Sequence, residues 1–148
     1  HELKIVIVGD IRHSRVANSL QSLFQLMNVG ELVLVAPPVW QPETVQYGYV
    51  SADLSEGIRN ADVVIGLRVQ NERLAQHEQL DLKSYREQYA LTSASLNLAK
   101  SDAIIMHPGP INRGVEIDSE IADGPRSAIL TQVQNGVYMR MAILDALI

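Results

Sequence analysis

Four short runs rich in β-branched residues constrain this chain more than anything else in it: Leu3–Val8, Glu31–Ala36, Val63–Leu67 and Ala103–Met106. None alternates apolar with polar residues, so each predicts a strand buried on both faces, the pattern of a parallel sheet covered by helices. Between the first two, Val16, Leu20, Leu23, Phe24 and Met27 recur at helical spacing and predict a helix over Ser14–Asn28, stopped by Gly30. A short strand is expected near Tyr49–Val50. Helices are expected over Asp53–Asn60, Asp81–Tyr89 and Ser93–Ala99, with Ser51 or Asp53 capping the first and Thr92 or Ser93 the last. Asn71–Gln79 is polar and reads as a loop or short helix. Asp118–Asp123 reads as one acidic helical turn ended by Gly124-Pro125. A closing helix from Ser127 carries Ile129, Val133, Val137, Met141 and Leu144 on one stripe. Gly136 interrupts that helix at a cost of about 1 kcal/mol relative to Ala, which predicts close packing there. The expected fold class is α/β: one domain, residues 1–148, with a doubly wound, Rossmann-like parallel sheet flanked by helices.

A chain of 148 residues buries roughly 68–70% of its unfolded surface, enough for such a core without disulfides or metals. The absence of cysteine removes thiolate chemistry of every kind and fits a reducing, cytoplasmic setting. A net charge of −5 argues against a general nucleic-acid or anionic-membrane surface. The apolar runs are strand-sized, so no membrane span is expected. The chain opens His1-Glu2-Leu3, without a methionine or a signal-like segment, and reads as a processed or excised piece of something longer.

Three of the expected strands end in chemistry. After the first come Gly9-Asp10-Ile11-Arg12-His13-Ser14-Arg15, after the fourth Arg68-Val69-Gln70, and after the last His107-Pro108-Gly109-Pro110. In a parallel sheet these loops emerge on one rim, where open α/β sheets bind ligands. A dinucleotide site is disfavoured, because the first loop has one glycine where the fingerprint needs three. That loop instead brings Arg12 and Arg15 to a helix N-terminus, a place suited to anions, unless both are merely solvated surface residues. In extended backbone Arg68 and Gln70 project to one side, and a guanidinium beside an amide can clamp a carboxylate. The alternative for Arg68 is a strand-end ion pair with Glu72 or Asp10. Two separated arginines suggest a ligand with two anionic groups, such as a dicarboxylate. The prolines of His107–Pro110 stiffen the backbone around Gly109, where a ligand can approach the main chain, although a plain Pro-Gly turn is the simpler account. His107 reads as a loop stabiliser more than a ligand contact. Neither a nucleophile triad nor a metal cluster nor a phosphate-cradling loop is legible, so no cofactor or metal is expected.

With these residues in hand the chain resembles the aspartate-binding domain of the aspartate carbamoyltransferase family. The resemblance rests on Val8-Gly9-Asp10 with His13-Ser14-Arg15, on Leu67–Gln70 with Glu72-Arg73-Leu74, and on His107–Ile117 with the later Asn135-Gly136-Val137. It implies that Arg15 and Arg68 hold the carboxylates of L-aspartate with help from Gln70. Pro108, Gly109 and Pro110 would meet carbamoyl phosphate and the attacking amine through main-chain groups, with Arg12, His107 and Arg113 as further possible contacts. The loop from Asn71 to about Tyr85 would close over substrate. The sibling ornithine enzymes carry cysteine at the position of Pro108, and this chain has none. The resemblance also implies that the carbamoyl-phosphate-binding domain is missing, that the piece alone is inactive, and that the full-length protein forms a homotrimer. Regulatory or dihydroorotase-like partner chains are possible. Val137, Tyr138, Met141, Leu144 and Leu147 would then expose an apolar surface prone to self-association. The competing reading is a stand-alone binding module for small anionic metabolites.

Overall fold

The computed structural model describes residues 2–70 and 74–148, so expectations that fall on Asn71, Glu72 and Arg73 lie outside the described residues. Five strands, β1 (Lys4–Val8), β2 (Glu31–Val35), β3 (Tyr49–Ser51), β4 (Val63–Gly66) and β5 (Ile104–Met106), form one sheet in the order β3-β2-β1-β4-β5. Every pairing is parallel, with Val6 opposite Val33 on one side and Val64 on the other. The α/β doubly wound architecture expected from the apolar runs is the one found. Val6, Ile7, Val33, Leu34 and Val64 are fully buried. Burial of each such side chain contributes about 1.5–3 kcal/mol, which is why these runs tolerate no polar alternation. Beyond β5 the sheet edge is partly closed by the chain near Ser127, through Ile105 N–H to Arg126 O and Ala128 N–H to Ile105 O, both 2.8 Å.

The helices follow their caps. In α1 (Arg15–Leu26) Ser14 Oγ accepts the Ala17 N–H at 3.1 Å. Its stop falls earlier than Gly30: Met27 closes the helix and Asn28 takes φ 50°, a left-handed conformation that asparagine tolerates well. Asp53 caps α2 (Leu54–Ile58) by accepting from Ser55 N–H at 2.7 Å and Glu56 N–H at 3.1 Å, and Asn60 reverses the chain at φ 58°. Asp81 caps α3 (Leu82–Tyr89). Thr92 and Ser95 form a reciprocal capping box on α4 (Ser93–Leu96). That helix is shorter than the expected Ser93–Ala99, because Asn60 N–H takes the Leu98 carbonyl at 2.9 Å and draws the chain away. A single turn, α5 (Ser119–Ala122), precedes the long α6 (Ile129–Leu147).

In α6 one expectation holds and one fails. Of the stripe Ile129, Val133, Val137, Met141 and Leu144 only Ile129 is buried, and Val137, Met141 and Leu144 are exposed as expected. Gly136, expected at a close contact, is not tightly packed, since a Cβ built there would meet only the Arg140 guanidinium, at 3.5 Å. The core reaches just the first turn of this helix. Leu130, Met139 and Ile143 make it apolar on its other sides as well, and Tyr138 and Leu147 are also exposed. No helix among the described residues is long and apolar enough to cross a membrane.

Between β2 and β3 a 3-10 turn at Pro38–Trp40 buries the only tryptophan. The Trp40 indole N–H donates to Glu78 O at 2.8 Å, and its ring meets that of Tyr85 at 5.2 Å. The polar stretch expected as a loop or short helix contains a 3-10 turn at Gln76–Glu78, which this contact pins to the body of the domain.

Candidate functional site

The strand order reverses between β1 and β4, so the chain departs from their carboxyl ends in opposite directions and leaves a crevice. Gly9 makes the crevice possible: it sits at φ 134°, and a Cβ there would lie 2.9 Å from Leu67 Cβ. A cavity of about 420 Å³ opens at this point. Arg15, Arg68, Gln70, Pro108 and Gly109 all line it. Asp10, His13 and Ser14 add polar groups to the lining, and Val16, Leu67 and Leu74 apolar ones.

The first wall is the loop after β1. Asp10, nearly buried, accepts the His13 N–H at 3.0 Å and faces His13 Nδ1 at 3.0 Å with both oxygens. The other ring nitrogen, His13 Nε2, lies 3.4 Å from Glu78 Oε1, so the imidazole bridges this loop to the Gln76–Glu78 turn. Arg15 occupies the first helical position of α1, exposed on the cavity rim. The second wall is the extended chain after β4, where Val69 is buried and Arg68 and Gln70 on either side of it turn into the cavity.

The third wall is the loop after β5. His107 is fully buried, and its Nδ1 accepts the Gly109 N–H at 2.9 Å. Gly66 makes room for this ring, since a Cβ at that position would stand 3.3 Å from His107 Cδ2. Gly109 takes φ 68°, and the Gly109–Pro110 peptide is cis. Pro108 and Pro110 carry no N–H and that of Gly109 is already engaged, so the main chain of this segment meets a ligand with carbonyl acceptors alone.

Four candidates stand apart from the cavity lining. Arg12 turns away and pairs with Glu43 at 3.1 Å. Arg113 is bound to its own loop by a two-pronged contact with Asp123, at 2.6 and 2.9 Å. That contact holds the Arg113 guanidinium above, and the Asp123 carboxyl below, their ordinary pKa values. His107 packs inward as a loop anchor. Pro110 is exposed beside the cavity without lining it.

Glu116 is the residue that sequence reasoning missed. It is buried, its Oε1 accepts the Asn112 N–H at 2.6 Å, and its Oε2 takes the Val69 N–H at 3.4 Å. His107 Nε2 lies 3.3 Å from Oε1, although off the line of a good hydrogen bond. The available signal was a lone carboxylate between Val115 and Ile117, both apolar, since such a group is buried only when neighbours satisfy it.

Fold and rim together define a class: a doubly wound α/β domain with arginines at the strand-order switch point. The model of the aspartate/ornithine carbamoyltransferase Asp/Orn-binding domain family matches residues 1–147, and the chain belongs to that family. It is 60% identical over 147 residues to the aspartate carbamoyltransferase catalytic subunit of Legionella pneumophila (strain Corby), covering 99% of this chain and 50% of the relative. To the corresponding subunit of Ruthia magnifica it is 45% identical over 148 residues, covering 99% and 46%. The chain thus spans about half the length of the curated relatives it matches. Its fold is that of the ornithine carbamoyltransferases of Thermus thermophilus, with a TM-score of 0.81 at 20% identity over 96% of this chain and 47% of that one. The Pyrococcus furiosus enzyme gives 0.80 at 21% identity over 97% and 49%.

Proposed function

We propose that this chain is the L-aspartate-binding half of an aspartate carbamoyltransferase. The protein carrying it would join carbamoyl phosphate and L-aspartate to give N-carbamoyl-L-aspartate and phosphate, a step of pyrimidine biosynthesis. The observation that carries the reading is the convergence of Arg15, Arg68 and Gln70 on one cavity that also takes in Pro108 and Gly109. Two guanidinium groups fit the two carboxylates of aspartate, and charge-assisted bonds of this kind contribute about 1.5–3 kcal/mol each. An ornithine side chain would bring an ammonium group toward the same arginines, an unfavourable match.

The carbonyl-only main chain at Pro108–Pro110 suits donors, namely the amide of the carbamoyl group and the attacking amine. In the reaction the amine nitrogen bonds to the carbamoyl carbon, the bond from that carbon to the phosphate oxygen breaks, and the amine loses a proton. Such a transfer needs no covalent enzyme intermediate; positioning and charge stabilisation supply most of the acceleration. In this reading the carbamoyl-phosphate-binding half lies outside the 148 residues, these residues alone do not turn over, and the whole protein assembles as a homotrimer in the cytoplasm.

Calorimetric titration with succinate, a dicarboxylate without the amine, checks the reading in the full-length protein loaded with carbamoyl phosphate. Succinate should bind the wild type and lose about tenfold or more in affinity on Arg68→Ala. Equal affinity in both would sink it.

A further inference from the structure

The cavity is built from three loops that, among the described residues, no secondary-structure pairing joins at their tips, and two of them carry the groups assigned to different substrates. The chain after β4 presents Arg68 and Gln70; the loop after β5 presents Pro108 and Gly109. Their relative placement is set below the cavity floor. Val69, between the two aspartate-facing residues, has both of its main-chain polar groups tied to the 107–117 segment: its N–H faces Glu116 Oε2 at 3.4 Å, and its C=O accepts from Asn112 Nδ2 at 2.8 Å. Glu116 Oε1 accepts the Asn112 N–H at 2.6 Å and sits 3.3 Å from His107 Nε2, whose opposite nitrogen fixes Gly109. One buried carboxylate is therefore shared by both walls, while its own side chain does not line the cavity.

We infer that Glu116 is a positioning residue for the aspartate site: through Val69 it sets where Arg68 and Gln70 stand relative to Pro108 and Gly109, without touching substrate. The geometry makes the two oxygens separable. In Glu116→Gln the amide oxygen can keep the short Asn112 contact, but the –NH2 then faces the Val69 N–H, donor against donor. The loop after β5 stays anchored and the chain after β4 loses one of its two ties. Asn112→Ser removes the second tie, at the Val69 carbonyl, from a half-buried position where the fold is less at stake.

The inference rests on the carbamoyltransferase reading, and steady-state kinetics of the full-length protein separate the two. In Glu116→Gln the KM for L-aspartate should rise about tenfold, the size of one charge-assisted hydrogen bond, and in Asn112→Ser about fivefold, the size of a neutral one, while the KM for carbamoyl phosphate stays near wild type in both. A purely structural role would lower Tm and leave the aspartate KM alone. An unchanged aspartate KM in either folded variant overturns the assignment and leaves the functional reading intact. Should Glu116→Gln fail to fold, Asn112→Ser decides alone. A wild-type protein that forms no N-carbamoyl-L-aspartate sinks both.

Discussion

Removing one oxygen from the core should make this domain more stable. Tyr85 is 2% exposed, its ring lies 5.2 Å from that of Trp40 and 5.5 Å from that of Tyr89, and its hydroxyl has no hydrogen-bond partner among the described residues. Burial, reinforced by the nearby Glu116 carboxylate, pushes the phenol's pKa well above its ordinary value. An unpartnered buried hydroxyl costs about 1–3 kcal/mol, and the void left by a single oxygen returns a few tenths to about 1 kcal/mol of that. Both ring contacts survive in phenylalanine. Tyr85→Phe is therefore expected to raise stability by about 1 kcal/mol, or roughly 2–4 °C in Tm for a domain of this size. Urea unfolding followed by Trp40 fluorescence reads this directly, because the only tryptophan abuts the substituted ring. The midpoint should rise at constant slope. Tyr89→Phe supplies the opposite sign from the same chemistry: its hydroxyl donates to Ala52 O at 2.9 Å, so its loss should cost about 1 kcal/mol. A Tyr85→Phe protein less stable than wild type by more than about 0.5 kcal/mol would refute the reasoning, since the hydroxyl would then have to be satisfied.

Other outcomes follow from the packing and the charges. Gly57→Ala gains helix propensity but sets a Cβ 2.4 Å from Val35 Cγ2, and the clash should win, with a loss of about 1–3 kcal/mol in urea unfolding. The Tyr49 hydroxyl donates to Glu31 at 2.7 Å, which raises its pKa from 10.0 to about 12. The unfolded chain therefore ionises first as pH rises, so stability should decline between about 10 and about 12, and Tyr49→Phe should flatten that decline in a pH series of melts. Replacing Met141 and Leu144, both exposed on α6, with glutamine should change the unfolding free energy in urea by less than about 0.5 kcal/mol while reducing self-association in sedimentation velocity.

The parts of this fold legible in the sequence are those where one local signal and one burial requirement agree. The runs around Val6, Val33 and Val64 could only be doubly buried strands, whereas the Ala103–Met106 run, expected to be buried as well, forms an edge strand that leaves Ile104 exposed. Asp53 and Thr92 announced the helices they cap. Arg68 and Gln70 were legible as a pair because strand periodicity alone puts them on one side. What escaped depends on partners distant in sequence. Arg12 and Arg15 look alike in the chain, and only the approach of Glu43 separates the paired arginine from the one on the cavity rim. Arg113 is likewise decided by Asp123. Glu116 acquires its role from Val69 and His107, neither predictable from its own neighbours. Gly136 on α6 misled for a different reason: a glycine inside a helix suggests a close neighbour, and only the Arg140 side chain comes near it.

Acceptor choice in the full-length protein, measured with radiolabelled carbamoyl phosphate and L-aspartate or L-ornithine in parallel, tests the central claim most directly. The arrangement of Arg15, Arg68 and Gln70 predicts N-carbamoyl-L-aspartate as the product, with kcat/KM for aspartate falling about tenfold to a hundredfold in Arg15→Ala and in Arg68→Ala. Carbamoylation of ornithine in preference to aspartate, or undiminished turnover of aspartate by both variants, would contradict it.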